Sequence, residues 1–70
     1  MEEEIPLFFY NKSEDDKKAL KKLIKSNIKC KFIGPIDDKD TPFLYYNTMS
    51  FYGLKAVELF IERWKKENQN

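Results

Sequence analysis

Residues 5–16 read IPLFFYNKSEDD, and this stretch decides the fold of the chain. Its first half is a short, continuous apolar run, typical of a central strand that is buried on both faces. Its second half has the composition of a helix start. Ser13 can cap a helix, Asp16 can complete a capping box, and three acids suit the positive end of the helix dipole. The sequence therefore predicts a strand over 5–10 that leads directly into a helix over 14–26.

This first helix has one apolar side and one basic side. We expect its inner stripe to contain Leu20, Leu23 and Ile24, with Ala19 and Asn27 at its margins. Lysines occupy positions 17, 18, 21, 22 and 25 on the outer face. They could bind the phosphates of a nucleic acid. However, they spread over both flanks with no aromatic residues between them, which favours an ordinary solvated face.

The next segment has the pattern of an edge strand. Ile28, Cys30 and Phe32 alternate with two lysines, so that one face is buried and the other is solvated. Gly34-Pro35 ends the strand, and a polar loop follows over 37–40. Cys30 falls on the buried side of this predicted strand, where a thiol has a structural role.

The last third of the chain predicts a hairpin and a second helix. Strands are expected at 43–46 and 49–52, because a two-residue connection, Asn47-Thr48, has hairpin spacing. Gly53 then lets the chain turn into a helix whose apolar residues recur every three or four positions. Those positions are Leu54, Val57, Ile61 and Trp64, widened by Ala56 and Phe60, and we expect the chain to fray over 65–70.

These elements define an α/β fold, more narrowly a two-layer α+β fold. Residues 1–70 form one domain, because a chain of 70 residues has room for a single core. A right-handed crossover makes the first two strands parallel, and the hairpin adds two more, which gives a mixed four-stranded sheet in the order 2-1-3-4. Both helices are expected on one face of that sheet.

Composition excludes several classes of function. The net charge of +1 creates no long-range field toward nucleic acid or acidic membranes, and no apolar run is long enough to span a bilayer. There is one cysteine and no histidine, so a dithiol couple and the commonest metal ligand are missing. We therefore expect a cytoplasmic protein that is not an enzyme, binds no metal or other cofactor, and does not insert into membranes.

Several segments resemble the thioredoxin and glutaredoxin superfamily. Residues 7–11 followed at once by a helix are similar to the first strand and active-site turn of glutaredoxins. Thr41-Pro42 before a strand resembles the step at which thioredoxins carry a cis proline facing the active site. Residues 52–64 resemble the closing strand, glycine and final helix. The resemblance implies a minimal thioredoxin-like fold in which the start of the first helix lies across from Pro42.

The resemblance also implies a lost activity. Ser13 and Asp16 occupy the positions where the superfamily has its Cys-x-x-Cys pair, so the dithiol reaction is chemically absent. Gly53 precedes a leucine where glutaredoxins have a second glycine that helps to hold glutathione. What remains is an edge that can offer backbone hydrogen bonds to an extended peptide. The candidate binding residues on this vestigial active-site edge are Asn11, Ser13, Asp16, Thr41 and Pro42.

The helix that glutaredoxins insert between strands two and three is missing, since only residues 34–40 connect them. One sheet face should therefore stay open, with aromatic rings on it, and such a patch fits a protein or peptide partner or a second copy of the chain. We expect the 37–40 loop to border the Ser13 and Pro42 edge and make it acidic, which favours a basic or neutral peptide. The spacing of its aspartates indicates a polar turn more than a cation site.

Two alternative functions remain open at this point. Cys30 could serve a redox protein or enzyme as a single thiol, although its place in an edge strand keeps it far from the helix start. The lysines of the first helix could bind nucleic acid weakly, with an affinity that falls steeply as salt rises. The sequence favours a redox-inactive module that binds a protein or peptide or associates with a second copy of itself.

Overall fold

The computed structural model describes residues 5–67. Its elements are β1 (Leu7–Phe9), α1 (Glu14–Lys25), β2 (Lys31–Ile33), β3 (Phe43–Tyr46), β4 (Met49–Tyr52) and α2 (Leu54–Glu67). The four strands form one sheet in the order β2-β1-β3-β4, with β1 and β2 parallel and the other neighbours antiparallel. The α+β fold and the strand order expected from the sequence are confirmed.

The first two strands are shorter than the sequence predicts. β1 covers three residues of the predicted 5–10, and β2 begins at Lys31, so Ile28 and Cys30 precede it. The reason lies at Pro6, whose carbonyl accepts the Lys31 N–H at 2.9 Å but which has no N–H of its own with which to continue the ladder. Ile28 is nevertheless buried in the core.

Helix α1 begins at the cap that the sequence predicts. The Ser13 side chain accepts the Asp16 N–H, and the Asp16 carboxylate accepts the Ser13 N–H, which completes a capping box. The buried line of the helix runs through Asp16, Ala19 and Leu23. This line turns Ile24 outward, where its side chain is 61% exposed, so its predicted place on the inner stripe is wrong. Asn27 is likewise exposed, just beyond the end of the helix.

The β3–β4 hairpin matches its prediction residue for residue. Asn47 and Thr48 form its two-residue loop with φ values of 52° and 63°, which is the backbone of a type I′ turn. After β4, Gly53 has a φ of 89°, a conformation that suits a residue without a Cβ, and α2 starts at the next residue. The helix continues through Lys65 to Glu67, where the sequence predicted fraying; the rest of that prediction, 68–70, lies outside the described residues.

The two faces of the sheet differ in what covers them. On one face, Leu44 of β3 lies directly between its cross-strand partners Phe8 and Phe51. The Phe51 ring packs against that of Phe60 in α2, with 5.3 Å between the ring centroids. The core is built on this face from Phe8, Ala19, Leu23, Ile28, Leu44, Val57, Phe60 and Ile61. Both helices therefore pack on this side, and within residues 5–67 neither helix covers the opposite face. No helix in this range is long and apolar enough to cross a membrane.

Candidate functional site

Asp16 joins the start of α1 to the segment that precedes β3. One of its carboxylate oxygens, Oδ2, accepts the Ser13 hydroxyl at 2.6 Å and the Ser13 amide at 3.0 Å. The same oxygen lies 3.4 Å from the Thr41 hydroxyl, which is 25 residues away in sequence. The topology, and not local propensity, thus brings the helix cap and Thr41 together.

The carboxyl of Asp16 is held in its ionised form. Burial on its own raises the pKa, but hydrogen bonds from the Ser13 hydroxyl and amide outweigh it. With smaller contributions from the Asn11 amide and the Thr41 hydroxyl, they hold the pKa below its ordinary value of 3.8. The side chain is only 1% exposed, and its second oxygen, Oδ1, has no hydrogen-bond partner of normal geometry among residues 5–67.

Thr41 presents unused backbone groups at this edge. Its hydroxyl donates to the Asp38 carbonyl at 3.1 Å. Within the described part of the chain, neither its N–H nor its C=O makes a backbone hydrogen bond. The neighbouring Pro42 is buried, the Thr41–Pro42 peptide bond is cis, and the Pro42 carbonyl accepts the Gly53 amide at 2.7 Å. The side-chain contacts of Thr41 therefore hold it in place, and its own peptide groups have no backbone partner among residues 5–67.

The acidic loop lies against this edge, as the Asp38 contact to Thr41 shows. Within the loop, the Asp40 amide donates to the Asp38 carboxylate at 2.9 Å, which is a polar turn. Together the segments 11–16 and 37–41 contain six carboxylates and two lysines. The potential at the edge is therefore negative. No group of three or more potential metal-ligating side chains occurs within residues 5–67.

Four of the five sequence-predicted site residues lie in the two segments that meet at this edge, and the fifth, Pro42, directly follows the second segment. The contacts described above link Ser13, Asp16 and Thr41. The Asn11 amide helps to lower the pKa of Asp16, and Pro42 follows Thr41 in the chain. The loop itself is positioned by a contact that the sequence analysis missed. The Ile36 amide donates to the Tyr10 carbonyl at 2.9 Å. A Cβ at Gly34 would lie 2.5 Å from that same carbonyl oxygen, so the glycine of Gly34-Pro35 was the available signal.

Cys30 lies outside this edge. Its side chain is partly buried and packs against the core, just before β2. Burial raises the pKa of the thiol to about 11. Since the thiolate is the reactive form, the thiol is inert at neutral pH. This arrangement disfavours the single-thiol alternative.

The open sheet face carries a row of aromatic rings. Phe9 and Phe43 stack at 4.6 Å between ring centroids, and Phe43 lies 5.2 Å from Tyr52. Tyr45, which is 41% exposed, sits beside Leu7 in the adjacent row of the sheet. An apolar patch of this kind on a small protein is typical of an interaction surface.

Two of the outer lysines of α1, Lys22 and Lys25, line a shallow groove between the two helices. The groove has a volume of about 730 Å³ and is lined by four lysines, two glutamates, and apolar and polar groups of both helices. Lys22 pairs with Glu58 across it at 3.3 Å. No aromatic ring lines the groove, so the stacking platforms that single-stranded nucleic acids need are missing from it.

Comparison of the chain with protein-family models, with curated proteins and with solved structures finds no match in any of the three. Function must therefore be inferred from the geometry of this chain's own residues.

Proposed function

We propose that this protein is a redox-inactive, thioredoxin-like module that binds an extended peptide at the edge formed by Asn11, Ser13, Asp16, Thr41 and Pro42. The observation that carries the proposal is the meeting of the α1 cap with Thr41, through the 3.4 Å approach of the Thr41 hydroxyl to Asp16. Two segments distant in sequence form one surface, and backbone groups on it are free. The mode of binding is strand addition, in which the main chain supplies affinity.

Thr41 supplies the backbone contacts. Its N–H and C=O have no backbone partner within residues 5–67, so the N–H can donate one hydrogen bond to a strand laid alongside and the C=O can accept another from it. The hydrogen bonds from its side chain to Asp38 and toward Asp16 restrict its motion. A restricted residue loses little conformational entropy when the peptide binds, which favours affinity.

The charge of the edge selects the peptide. Carboxylates outnumber lysines in both segments, and the Asp16 carboxyl stays ionised because its pKa is lowered. A basic peptide is attracted to such a surface and an acidic one is repelled. The ligand is therefore an extended peptide with lysine or arginine residues beside its pairing residue.

The absence of redox chemistry follows from the groups at the edge. The Ser13 hydroxyl donates to the Asp16 carboxylate, whose lowered pKa makes it too weak a base to turn a serine into a nucleophile. The one thiol of the chain, Cys30, is partly buried just before β2, outside this edge, and has a raised pKa. In an insulin-reduction assay with dithiothreitol, the protein should leave the rate unchanged.

An array of random decapeptides tests the binding proposal. Enrichment of basic sequences is expected, with affinity that weakens as salt rises. The double variant Asp37→Asn with Asp40→Asn should weaken binding several-fold by removing two charges at the edge. The matched control, Glu62→Gln with Glu67→Gln on the outer side of α2, removes the same charge elsewhere and should bind as the unmodified protein does. Equal loss in both variants, or enrichment of acidic peptides, would contradict the proposal.

A further inference from the structure

The two edges of the sheet are protected to different degrees. β2 has three residues, begins with Lys31 shortly after Lys29, and is followed by Gly34-Pro35, features that discourage a further strand from pairing. β4 reads Met-Ser-Phe-Tyr, with no charge and no proline. Tyr52 at its end is 58% exposed and Met49 at its start is 47% exposed. The edge at β4 is thus an uncharged strand without the usual protection.

The hairpin register determines which backbone groups of β4 point outward. In an antiparallel pair, hydrogen-bonded and non-hydrogen-bonded residue pairs alternate, and a two-residue type I′ loop is closed by a hydrogen-bonded pair. That pair is Tyr46 with Met49. The hydrogen bond from the Gly53 amide to the Pro42 carbonyl, 2.7 Å, lies four residues farther along each strand and fits the same alternation. The N–H and C=O groups of Ser50 and Tyr52 therefore face away from β3.

We propose that β4 pairs in antiparallel fashion with β4 of a second copy of this chain. Within a two-fold symmetric pair, Ser50 of each copy lies opposite Tyr52 of the other, and Phe51 lies on the axis. This register uses all four outward groups of each copy, in four hydrogen bonds. It also keeps the helices of both copies on the same side of a continuous eight-stranded sheet.

The second copy is favoured over a foreign strand because β4 is complementary to itself. A two-fold axis brings identical residues together, so a charged edge would repel its own copy, whereas this strand carries no charge. The pairing also extends the open face, since Tyr52 of one copy comes beside Ser50 and then Tyr45 of the other. The aromatic row that begins at Phe9 thereby continues across the axis.

Face-to-face stacking of the open faces explains the same aromatic residues less well. Among the rings of this face, Tyr45 and Tyr52 are 41% and 58% exposed and Phe9 and Phe43 are half-buried, which is too little for the roughly 800 Å² per partner that a stable interface buries. Edge pairing supplies main-chain hydrogen bonds in addition to ring contacts. Its own area is also small, so we expect a weak, concentration-dependent dimer. The proposal does not depend on the peptide-binding edge at Thr41.

Sedimentation velocity over a concentration series tests the dimer. The mass should rise from 8.4 kDa toward twice that value between about 10 µM and about 1 mM. Ser50→Lys places a charge on the solvated edge and should keep the chain monomeric throughout. Tyr45→Lys changes the neighbouring residue on the open face but leaves the edge groups intact, and should reduce association only slightly. A monomer at every concentration overturns the proposal, as does a dimer that survives Ser50→Lys and is lost in Tyr45→Lys.

Amide hydrogen exchange gives the register. The amides of Ser50 and Tyr52 should exchange rapidly in dilute protein and slow down at least tenfold at high concentration, while those of Met49 and Phe51 are protected throughout by β3. Ser50→Pro removes an outward N–H that the monomer does not use, so it should preserve the far-ultraviolet circular dichroism spectrum and abolish the dimer. Concentration-independent exchange at Ser50 and Tyr52 would refute this register.

Discussion

Asp16→Asn should destabilise the protein more than any other conservative change at the start of α1. The Asp16 carboxylate accepts two hydrogen bonds from Ser13, at 2.6 and 3.0 Å, and is only 1% exposed. Hydrogen bonds to a charged group contribute about 1.5–3 kcal/mol each, and a neutral amide oxygen retains part of that. We expect a loss of about 1–2 kcal/mol in the free energy of unfolding. This is a large fraction of the stability of so small a domain, which is about 5 kcal/mol.

The pH dependence of the loss identifies its cause. A carboxyl whose pKa is lowered in the folded state contributes stability above its unfolded pKa, here 3.8, and loses that contribution as the pH falls through the folded value. The difference between the unmodified protein and Asp16→Asn should therefore be constant from about pH 5 to 7 and shrink below about pH 4. Urea unfolding followed by circular dichroism measures it.

Asp15→Asn is the matched control for this experiment. Asp15 is exposed in the same helical turn, and none of the side-chain hydrogen bonds described within residues 5–67 involves it. Its replacement removes only a favourable interaction with the helix dipole, about 0.3–1 kcal/mol. Equal losses in the two variants, or a loss for Asp16→Asn that does not change down to pH 3, would refute the role given to the Asp16 carboxylate.

Three further predictions concern the thiol, the loop and the hairpin. Burial raises the pKa of the Cys30 thiol to about 11, so labelling with a disulfide reagent at neutral pH should be slow until urea unfolds the chain; fast labelling of the folded protein would contradict its burial. Gly34→Ala should cost about 1–3 kcal/mol, because the new Cβ would lie 2.5 Å from the Tyr10 carbonyl oxygen, and an unchanged thermal midpoint would argue against that contact. Thr48→Gly should stabilise the protein by about 1 kcal/mol, since Thr48 has a φ of 63°, unfavourable for a β-branched residue; a lower urea midpoint would reject this explanation.

Much of the fold could be predicted because local signals agreed with one another. The capping box at Ser13 and Asp16 is recognisable from four consecutive residues. The two-residue spacing at Asn47-Thr48 predicted the bounds of both hairpin strands. The strand ends were harder to predict, because an apolar run does not show where the partner strand stops pairing. Pro6, which has no N–H, prevents the β1–β2 ladder from extending back toward Cys30. The outward turn of Ile24 depends on which line of α1 faces the sheet, and a polar residue, Asp16, belongs to that line.

The candidate site was predicted through long-range topology more than through residue chemistry. The meeting of Ser13 and Asp16 with Thr41 follows from strand order, which the sequence implied. The contact that positions the acidic loop, from the Ile36 amide to the Tyr10 carbonyl, could not be predicted from periodicity, because it joins irregular backbone to the end of a strand. Which N–H and C=O groups of β4 point outward could be deduced only once the hairpin register was known. A shift of that register by one residue would exchange the inward and outward groups.

The most direct test of the proposed function is an amide chemical-shift titration of the ¹⁵N-labelled protein with the most enriched basic decapeptide. We predict that the largest shifts occur at Thr41 and Ser13, in the two segments that form the peptide-binding edge. A peptide N-methylated at its pairing residue, which cannot donate to the Thr41 carbonyl, should bind at least tenfold more weakly. Shifts centred on Phe9 and Tyr52 of the open face, or equal binding of the N-methylated peptide, would contradict the proposed function.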